Sequence, residues 1–307
     1  MQTEMANKNS KKIIVRILFC LFLAVFVFSG VMLGRSLLEY KKENDEHSRL
    51  EDDFLIFDGT SPSSSGTASA TVATTAQTLP LVSDPEESVS SPGTPAQAET
   101  TAPPESLSPE STVHTMPREL WPAFSVNWDA LEKRNPDVIG WIWMYDSEIS
   151  YPILLGEDNA EYVHTTIDGE YAKFGSIFAD YRSAPDFTDL NTIVYGHNGG
   201  YGVKFGGLMN YRLKSHWDSH RYICIMTPSG LSKYYIYSAY TSKSQGNPYR
   251  TDFVSEADYR DFLDLTVSAS LYQTDMTPTV SDRILTLSTC TNNASDERMI
   301  VHGILVN

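Results

Sequence analysis

Three side chains with complementary chemistry stand where strand-like segments of the sequence end. Cys290 follows the apolar, β-branched run 284–287 in the segment TLSTC. His197 stands between Tyr195 and a glycine-rich turn, and Arg298 opens the last strand-like segment, eight residues beyond Cys290. Strand ends on one side of a sheet lie close together, so this thiol, imidazole and guanidinium could converge on one cleft.

Each of the three groups suits a step of acyl transfer. A thiol is a weak nucleophile until it loses its proton, and a nearby cation lowers its pKa. An imidazole can protonate a leaving amine near neutral pH, and a guanidinium stays charged and can hydrogen-bond an oxyanion. The residues alone leave a structural role for Cys290 open, because a lone cysteine is commonly a small buried hydrophobic residue.

The elements that must position these groups lie within residues 116–307, which we expect to form one mainly β domain. Short β-branched and aromatic runs separated by turn residues predict eight strands that close, or nearly close, into a barrel. The predicted strands are Val138–Met144, Ile149–Leu154, Gly175–Phe178, Thr192–Tyr195, Tyr222–Thr227, Lys233–Thr241, Arg283–Thr289 and Met299–Val306. Short helical stretches are predicted within Trp121–Asp137, Asn159–His164 and Gly206–Tyr211, and a longer helix at Ser255–Tyr272, before the penultimate strand.

The N-terminal sequence is typical of a membrane anchor. Ile13 to Gly34 is apolar except for Arg16, and 22 helical residues span about 33 Å, the thickness of a hydrocarbon core. Lysines precede this stretch, which predicts a cytoplasmic tail at 1–12, a single span and an extracellular remainder. A cleaved signal peptide is the alternative, with a mediocre cleavage site near Ser29, although the apolar stretch is longer than a signal h-region.

Residues 35–115 are predicted to link the anchor to the domain. The linker starts with a charge-mixed run that could continue as a short helix. From Gly59 to Thr115, 41 of 57 residues are Ser, Thr, Pro, Ala or Gly, with no aromatic residue. Such a segment buries too little apolar surface to offset its ordering entropy, so we expect disorder.

Composition excludes several classes of protein. The formal charge is −16, and residues 116–307 hold fifteen basic against twenty-four acidic side chains, so nucleic acid is not an expected partner. Three cysteines cannot form a disulfide framework. His216 and His220 have an i, i+4 spacing that a metal site could use, but no third ligand is evident, and we predict no metal.

The motifs together resemble the sortase family, specifically its class B branch. The resemblance rests on TLSTC (Thr286–Cys290), YGHN (Tyr195–Asn198) and Arg298. Flanking segments and the long helix before the last two strands support it, and the similarity covers roughly residues 125–306.

The resemblance implies an eight-stranded sortase-type β-barrel and a membrane-anchored cysteine transpeptidase of Gram-positive cell walls, classed among the thiol peptidases. Cys290 would attack the threonine carbonyl of a sorting signal in a secreted protein, and His197 would act as acid and base. Arg298 would stabilise the oxyanion, while Asn159 and Ser288 would line the substrate groove. A peptidoglycan precursor amine would release the thioacyl intermediate, and no cofactor is expected. Class B members are associated with NPQTN-like or PPxTG-like signals.

Two other functions remain open at this level. A stalked surface-binding module could keep the barrel without its chemistry, although such a module has no need of all three groups. A thiol protease would share the first half-reaction and release the same intermediate to water.

Overall fold

The computed structural model describes residues 2–57, 115–200, 202–291 and 296–306. The segment 59–114, which holds almost all of the Ser/Thr/Pro/Ala/Gly-rich part of the predicted linker, lies outside the described residues.

The catalytic candidates lie on a closed, eight-stranded β-barrel, which confirms the fold class predicted from the sequence. The barrel strands are β3 (Val138–Trp143), β4 (Ser150–Leu154), β5 (Ile177–Ala179), β6 (Asn191–Tyr195), β7 (Tyr222–Thr227), β8 (Gly230–Lys243), β9 (Ile284–Cys290) and β10 (Glu297–Val306). Their order around the barrel is β10-β8-β7-β3-β4-β5-β6-β9, and β9 closes it by pairing with β10. Two further short strands, β1 (Leu55–Phe57) and β2 (Phe124–Val126), pair outside the barrel.

The predicted strands all form, but β8 is longer than expected and one predicted helix is absent. The segment Asn159–His164 consists of turns. Asp158 accepts hydrogen bonds from the backbone N–H groups of Ala160 and Glu161, as a helix cap does. The backbone carbonyl of Val163 nevertheless accepts from a histidine ring instead of a following turn, so no ladder of helical hydrogen bonds develops.

The helix expected within Trp121–Asp137 is confined to α2 (Trp128–Arg134). Asn127 begins it, because its side-chain oxygen accepts a hydrogen bond from the backbone of Ala130. Strand β2 occupies the residues just before it, and Pro136 follows its end.

Helix α1 (Gln2–Phe54) is continuous from the apolar N-terminal stretch through the charged run that follows. Among the described residues it is the one helix long and apolar enough to cross a membrane, with a mean hydropathy of 2.2 in its most apolar window. No part of that window is buried within the protein. The last turns of α1 differ, because Leu50 and Phe54 belong to the main hydrophobic core. The end of the charged run is therefore part of the folded domain.

A second, smaller core lies under the long helix. Helix α4 (Glu256–Ala269) begins at Ser255, whose side chain accepts from the backbone of Asp258. Its buried face contains Tyr259, Phe262 and Leu263, which pack with side chains of β8, β9 and β10. This helix covers one side of the strands that carry the candidate site. A short helix, α3 (Lys214–Ser219), follows the 3-10 helix Gly206–Arg212 elsewhere on the barrel.

Three neighbouring strands place the candidate residues at one end of the barrel. Strand β6 runs parallel to β9, and β10 runs antiparallel to β9. The end of β6, the end of β9 and the start of β10 therefore lie side by side.

Candidate active site

Cys290 and Arg298 are directly opposed across the β9–β10 ladder. Residues opposed in an antiparallel pair project their side chains from the same face, with Cβ atoms about 5 Å apart. The register is fixed by seven consecutive Cα pairs, from Arg298 with Cys290 to Ile304 with Ile284. The thiol is partly exposed. The sheet therefore holds a permanent cation beside an accessible sulfur.

His197 reaches the other side of Cys290 through the turn after β6. Tyr195 lies level with Ser288 in the parallel ladder, and the next backbone N–H, that of Gly196, donates to the carbonyl of Ser288 at 3.2 Å. The side-chain amide of Asn198 then donates to the carbonyl of Cys290 at 2.9 Å. These bonds tie both neighbours of His197 to β9. Backbone and side-chain hydrogen bonds therefore hold the YGHN segment against β9, the strand that ends at Cys290.

Gly196 is required at the first residue of this turn. A Cβ atom there would lie 2.3 Å from Ile177 and 2.8 Å from the ring of Phe205. Both are buried side chains that cannot retreat without opening the core. The glycine lets the turn leave the sheet closely enough for the imidazole to stay beside the end of β9.

The ring of His197 has a defined tautomer. Its Nε2 lies 2.9 Å from the carbonyl oxygen of Val163, and a carbonyl can only accept, so Nε2 carries the hydrogen. Nδ1 is then the ring nitrogen left to gain or lose a proton. Burial lowers the pKa of His197, and the hydrogen bond to the Val163 carbonyl opposes this effect. Electrostatic interactions with His164, Arg298 and Lys204 lower the pKa further. The imidazole is therefore biased towards its neutral form.

The three residues open onto a groove of about 230 Å³. Its lining combines them with apolar and hydroxyl-bearing side chains: Asn159, Val163, Phe178, Tyr195, Ser244, Tyr249, Ser288 and Thr289. A partly apolar groove that contains a nucleophile, a base and a cation is suited to a peptide whose carbonyl carbon reaches the sulfur.

Asn159 is held in the groove wall by a buried carboxylate. Its Nδ2 donates to Asp180 at 3.0 Å and its Oδ1 accepts from the backbone N–H of Tyr181. Asp180 is fully buried and also accepts from Arg182 and from the hydroxyl of Tyr195. Burial raises the pKa of Asp180, but these hydrogen bonds outweigh it and leave the pKa below its ordinary value. One N–H of the Asn159 amide remains for a ligand.

Ser288 lies on the groove floor, two residues before Cys290. Its hydroxyl is 2.9 Å from that of Tyr249, which comes from the segment between β8 and α4. The ring of Tyr249 stacks on that of Tyr195 with centroids 6.0 Å apart. Burial raises the pKa of Tyr249, so its hydroxyl stays protonated across the neutral range. The pair therefore offers the groove neutral donors and acceptors.

The structure thus gathers all five residues singled out from the sequence around one groove. It adds several that the sequence motifs did not single out: Tyr195, Tyr249, Asp180 and His164. Tyr249 and Asp180 lie far from the motifs in the chain, and only tertiary structure brings them in. Tyr195 is within the YGHN segment itself, so its position gave a usable signal. His164, the last residue of the predicted helical stretch Asn159–His164, stacks on His197 with ring centroids 5.3 Å apart.

His216, His220 and Cys224 are not part of the groove lining. His216 and His220 stack on each other at 4.1 Å, and within the described ranges no three His, Cys, Asp or Glu side chains are grouped as a metal site would require. Cys224 is buried on β7, and burial raises the pKa of its thiol to about 12.

Comparison with known proteins identifies the family. A model of the sortase domain matches residues 148–306, just over half of the chain. Sortase B of Staphylococcus aureus is 37% identical over 175 residues, 56% of this chain and 72% of that protein. Sortase B of Listeria monocytogenes is 38% identical over 180 residues, 57% of this chain and 72% of that protein.

Solved structures agree with the sequence relatives. The Staphylococcus aureus sortase B–substrate complex superposes with a TM-score of 0.56 at 35% identity, covering 58% of this chain and 84% of that one. Sortase B from Bacillus anthracis in complex with AAEK1 gives a TM-score of 0.55 at 37% identity, covering 59% and 84%. The chain belongs to the sortase family of cell-wall transpeptidases, as a class B sortase.

Proposed function

We propose that this class B sortase is a membrane-anchored cysteine transpeptidase that cuts a sorting signal after threonine. Cys290 is the nucleophile, His197 the acid and base, and Arg298 the group that stabilises the oxyanion. Asn159 and Ser288 contact the peptide in the groove. The observation that carries the proposal is the convergence of a thiol, an imidazole and a guanidinium at three adjacent strand ends, inside a peptide-sized groove.

The first half-reaction forms a thioester. The thiol of Cys290 passes its proton to Nδ1 of the neutral His197, and its sulfur attacks the threonine carbonyl carbon. The carbonyl oxygen gains negative charge beside Arg298. The peptide C–N bond then breaks. The leaving amine takes a proton from Nδ1 of His197, because Nε2 is already engaged with the carbonyl of Val163.

The second half-reaction transfers the acyl group to an amine of a peptidoglycan precursor. The amine nitrogen attacks the thioester carbon and gives its proton to Nδ1 of His197. The C–S bond breaks, and Cys290 leaves as the thiolate, which takes the proton from Nδ1 and restores the thiol and the neutral imidazole. The low pKa of His197 favours the neutral imidazole that must accept this proton. The net change is one peptide bond broken and one formed, with no cofactor required.

The apolar part of helix α1 supports a location of this chemistry at a membrane. Residues 13–34 are the proposed span, with residues 1–12 on the cytoplasmic side because lysines precede the span. The barrel then faces the cell exterior, where secreted clients and wall precursors are present. Residues 58–114, part of the linker proposed at 35–115, join the two parts of the chain.

The test uses the full-length chain in detergent micelles with two fluorogenic peptides, of the NPQTN and PPxTG types. We expect cleavage after threonine of one peptide, and its loss in Cys290→Ala. Added triglycine should shift the products from the free acid to the amine conjugate. An unchanged product distribution would favour a thiol protease, and a folded wild-type chain that cleaves neither peptide would favour a binding module.

A further inference from the structure

The loop that carries His197 is closed by short-range hydrogen bonds. The backbone N–H of Phe205 donates to the carbonyl of His197 at 2.9 Å, and that of Gly199 donates to the carbonyl of Val203. Lys204 lies between the two closing residues. Whatever fixes Lys204 therefore also fixes the bond that holds the backbone of His197.

Lys204 is buried and conformationally constrained. Its side chain is 2% exposed, and its φ of 53° is in the left-handed region that non-glycine residues seldom adopt. Its backbone N–H donates to the hydroxyl of Tyr151, and its Nζ lies 5.0 Å from the centre of that ring. A strained backbone persists only where its surroundings hold it.

The counter-charges of Lys204 come from helix α1. Its Nζ is 3.5 Å from a carboxylate oxygen of Glu46 and 3.8 Å from one of Glu43. Both carboxylates are themselves mostly buried, with 11% and 3% of their side chains exposed. A buried ammonium group needs such partners, because desolvation penalises an isolated charge heavily.

The same face of α1 makes further contacts with the barrel. His47 stacks on the ring of Tyr151 with centroids 4.5 Å apart, and its Nε2 donates to the carbonyl of Ser150. Residues 43, 46, 47 and 50 follow the i, i+3, i+4, i+7 spacing of one helix face. Nearer the membrane, Glu39 pairs with Lys173 at 2.6 Å.

Lys173 belongs to a second segment that surrounds the imidazole. Its backbone carbonyl accepts from Nδ1 of His164, the residue that stacks on His197. The adjacent Phe174 lies 6.2 Å from the ring of His197. The face of α1 just described therefore contacts both chain segments that pack around His197.

We propose that the membrane-proximal segment of α1, residues 35–54, is a positioning element for His197, acting through the buried cluster of Glu43, Glu46 and Lys204. This inference rests on the proposed role of His197 as acid and base. Lys204 touches no reacting atom in this account. It transmits the position of the helix to the loop that sets the imidazole beside Cys290.

The proposal makes catalysis depend on residues that precede the linker. A barrel deprived of the membrane-proximal segment would lose the carboxylates and the apolar contacts that hold Lys204. Lys204 would then be free to move into water, and its loop would relax from the strained conformation. Groove and nucleophile would remain, so substrate binding would change less than turnover.

The test compares full-length variants in detergent micelles. Glu43→Gln with Glu46→Gln should lower kcat by roughly tenfold, the scale expected from a small misplacement of a catalytic group, with KM nearly unchanged. Amide hydrogen exchange of the loop, at Gly199 and Phe205, should accelerate in the same variant. Glu256→Gln is the matched control, because Glu256 forms an exposed ion pair with Arg260 on α4, and it should behave as wild type.

A charge-reversed pair separates positioning from simple loss of folding. Lys204→Glu combined with Glu46→Lys keeps the net charge of the cluster, and should recover most of the kcat that Lys204→Glu alone loses. Unchanged kcat and unchanged loop exchange in the double glutamine variant would overturn the proposal. Failure of the proposed function is distinguishable, since wild type would then lack Cys290-dependent cleavage while the loop exchange still differed between variants.

Discussion

Arg298 stands directly across the β9–β10 ladder from Cys290, at the terminal pair of that ladder. The two side chains share one face of the sheet, and neither can slip without shifting seven Cα pairs and the barrel closure they maintain. On the opposite flank of β9, Asn198 holds the turn of His197 to the carbonyl of Cys290. Strand register therefore sets the spacing of the proposed catalytic groups, while the loops provide the walls of the groove.

Replacement of Arg298 should separate charge from hydrogen-bond geometry. Arg298→Ala should lower kcat by about 10²- to 10³-fold, the cost of removing one oxyanion donor. Arg298→Lys should restore only part of this, because a lysine is a point charge without the planar fork of donors. Steady-state kinetics with the cleavable peptide measures both.

The control for Arg298 is Arg221→Ala. Arg221 pairs with Asp275 and Asp218 and is not part of the groove lining, so its activity should stay within about twofold of wild type, as expected for a partly exposed ion pair. Wild-type kcat in Arg298→Ala would remove Arg298 from the mechanism.

His164 should depress the pKa of His197. Burial is the main cause of the lowered pKa of His197. His164 contributes in two ways, because its ring covers that of His197 and its electrostatic interaction also lowers the pKa. His164→Gln keeps a donor for the carbonyl of Lys173 but removes the ring and the charge. We expect the pKa of His197 to rise towards 6.5, seen as a shift of its imidazole NMR titration to higher pH.

His216 serves as the internal reference in that titration, because it stacks on His220 away from the groove and burial lowers its pKa to about 4. An unmoved titration of His197 would show that His164 has no electrostatic influence on it.

Asp180 should be more important for the groove wall than for chemistry. Asp180→Asn removes the charge that Arg182 pairs with and turns one acceptor for Asn159 or Tyr195 into a donor. Because Arg182 is partly exposed and can rehydrate, we expect a loss of about 2–3 kcal/mol in the free energy of unfolding.

The kinetic signature of Asp180→Asn should be a raised KM with a smaller change in kcat, since the wall segment that holds Asn159 loosens. Asp186→Asn, at an exposed carboxylate that bonds Thr188, is the control, with stability and KM near wild type. A loss of kcat without a change in KM would point to a direct role in the reaction.

His302 should make the barrel sensitive to acid. Thr286 donates its hydroxyl hydrogen to Asn191, so Nδ1 of His302 must donate to Thr286 and Nε2 accepts from Tyr240. Burial lowers the pKa of His302 to about 3. The unfolded chain, with a histidine pKa near 6.5, binds the proton first as pH falls.

The sign of this effect follows from proton linkage. The contribution of His302 to the free energy of unfolding is fully present above about pH 6.5. It falls by up to about 1.4 kcal/mol per pH unit towards pH 3. His302→Gln can keep one donor and one acceptor, and should flatten the dependence of the melting temperature on pH between 6.5 and 4.5. An equally steep dependence in the variant would assign the acid sensitivity to other groups.

The sequence predicted the barrel because its strands carry strong local signals. Runs such as 222–227 and 284–290 are β-branched or aromatic and end at turn residues, so local propensity and the final fold agree. The helix predicted at Asn159–His164 was wrong, because long-range hydrogen bonds to Asp180 and His197 compete with the helical hydrogen bonds. Local sequence patterns carry no information about hydrogen-bond partners that lie more than twenty residues away.

The candidate site, like the fold, was predictable only where the signal is local in the sequence. Cys290, His197 and Arg298 were found because each stands at a visible strand end, and family motifs flank two of them. Asp180, Tyr249 and Lys204 were missed, because their importance comes from burial and from partners on distant segments. The charged run 35–54 looked like the start of a spacer, since its buried glutamates are explained only by a lysine about 160 residues later.

The central claim, that Cys290 carries the acyl group, is tested most directly by intact-mass spectrometry of the full-length chain. With substrate peptide and no added amine, the enzyme quenched in acid during turnover should gain the mass of the acyl fragment ending in threonine. Fragmentation should place that mass on Cys290, and triglycine added before quenching should remove it. An active wild-type enzyme that never shows the adduct on Cys290, or a Cys290→Ala variant that still cleaves the peptide, would contradict the account.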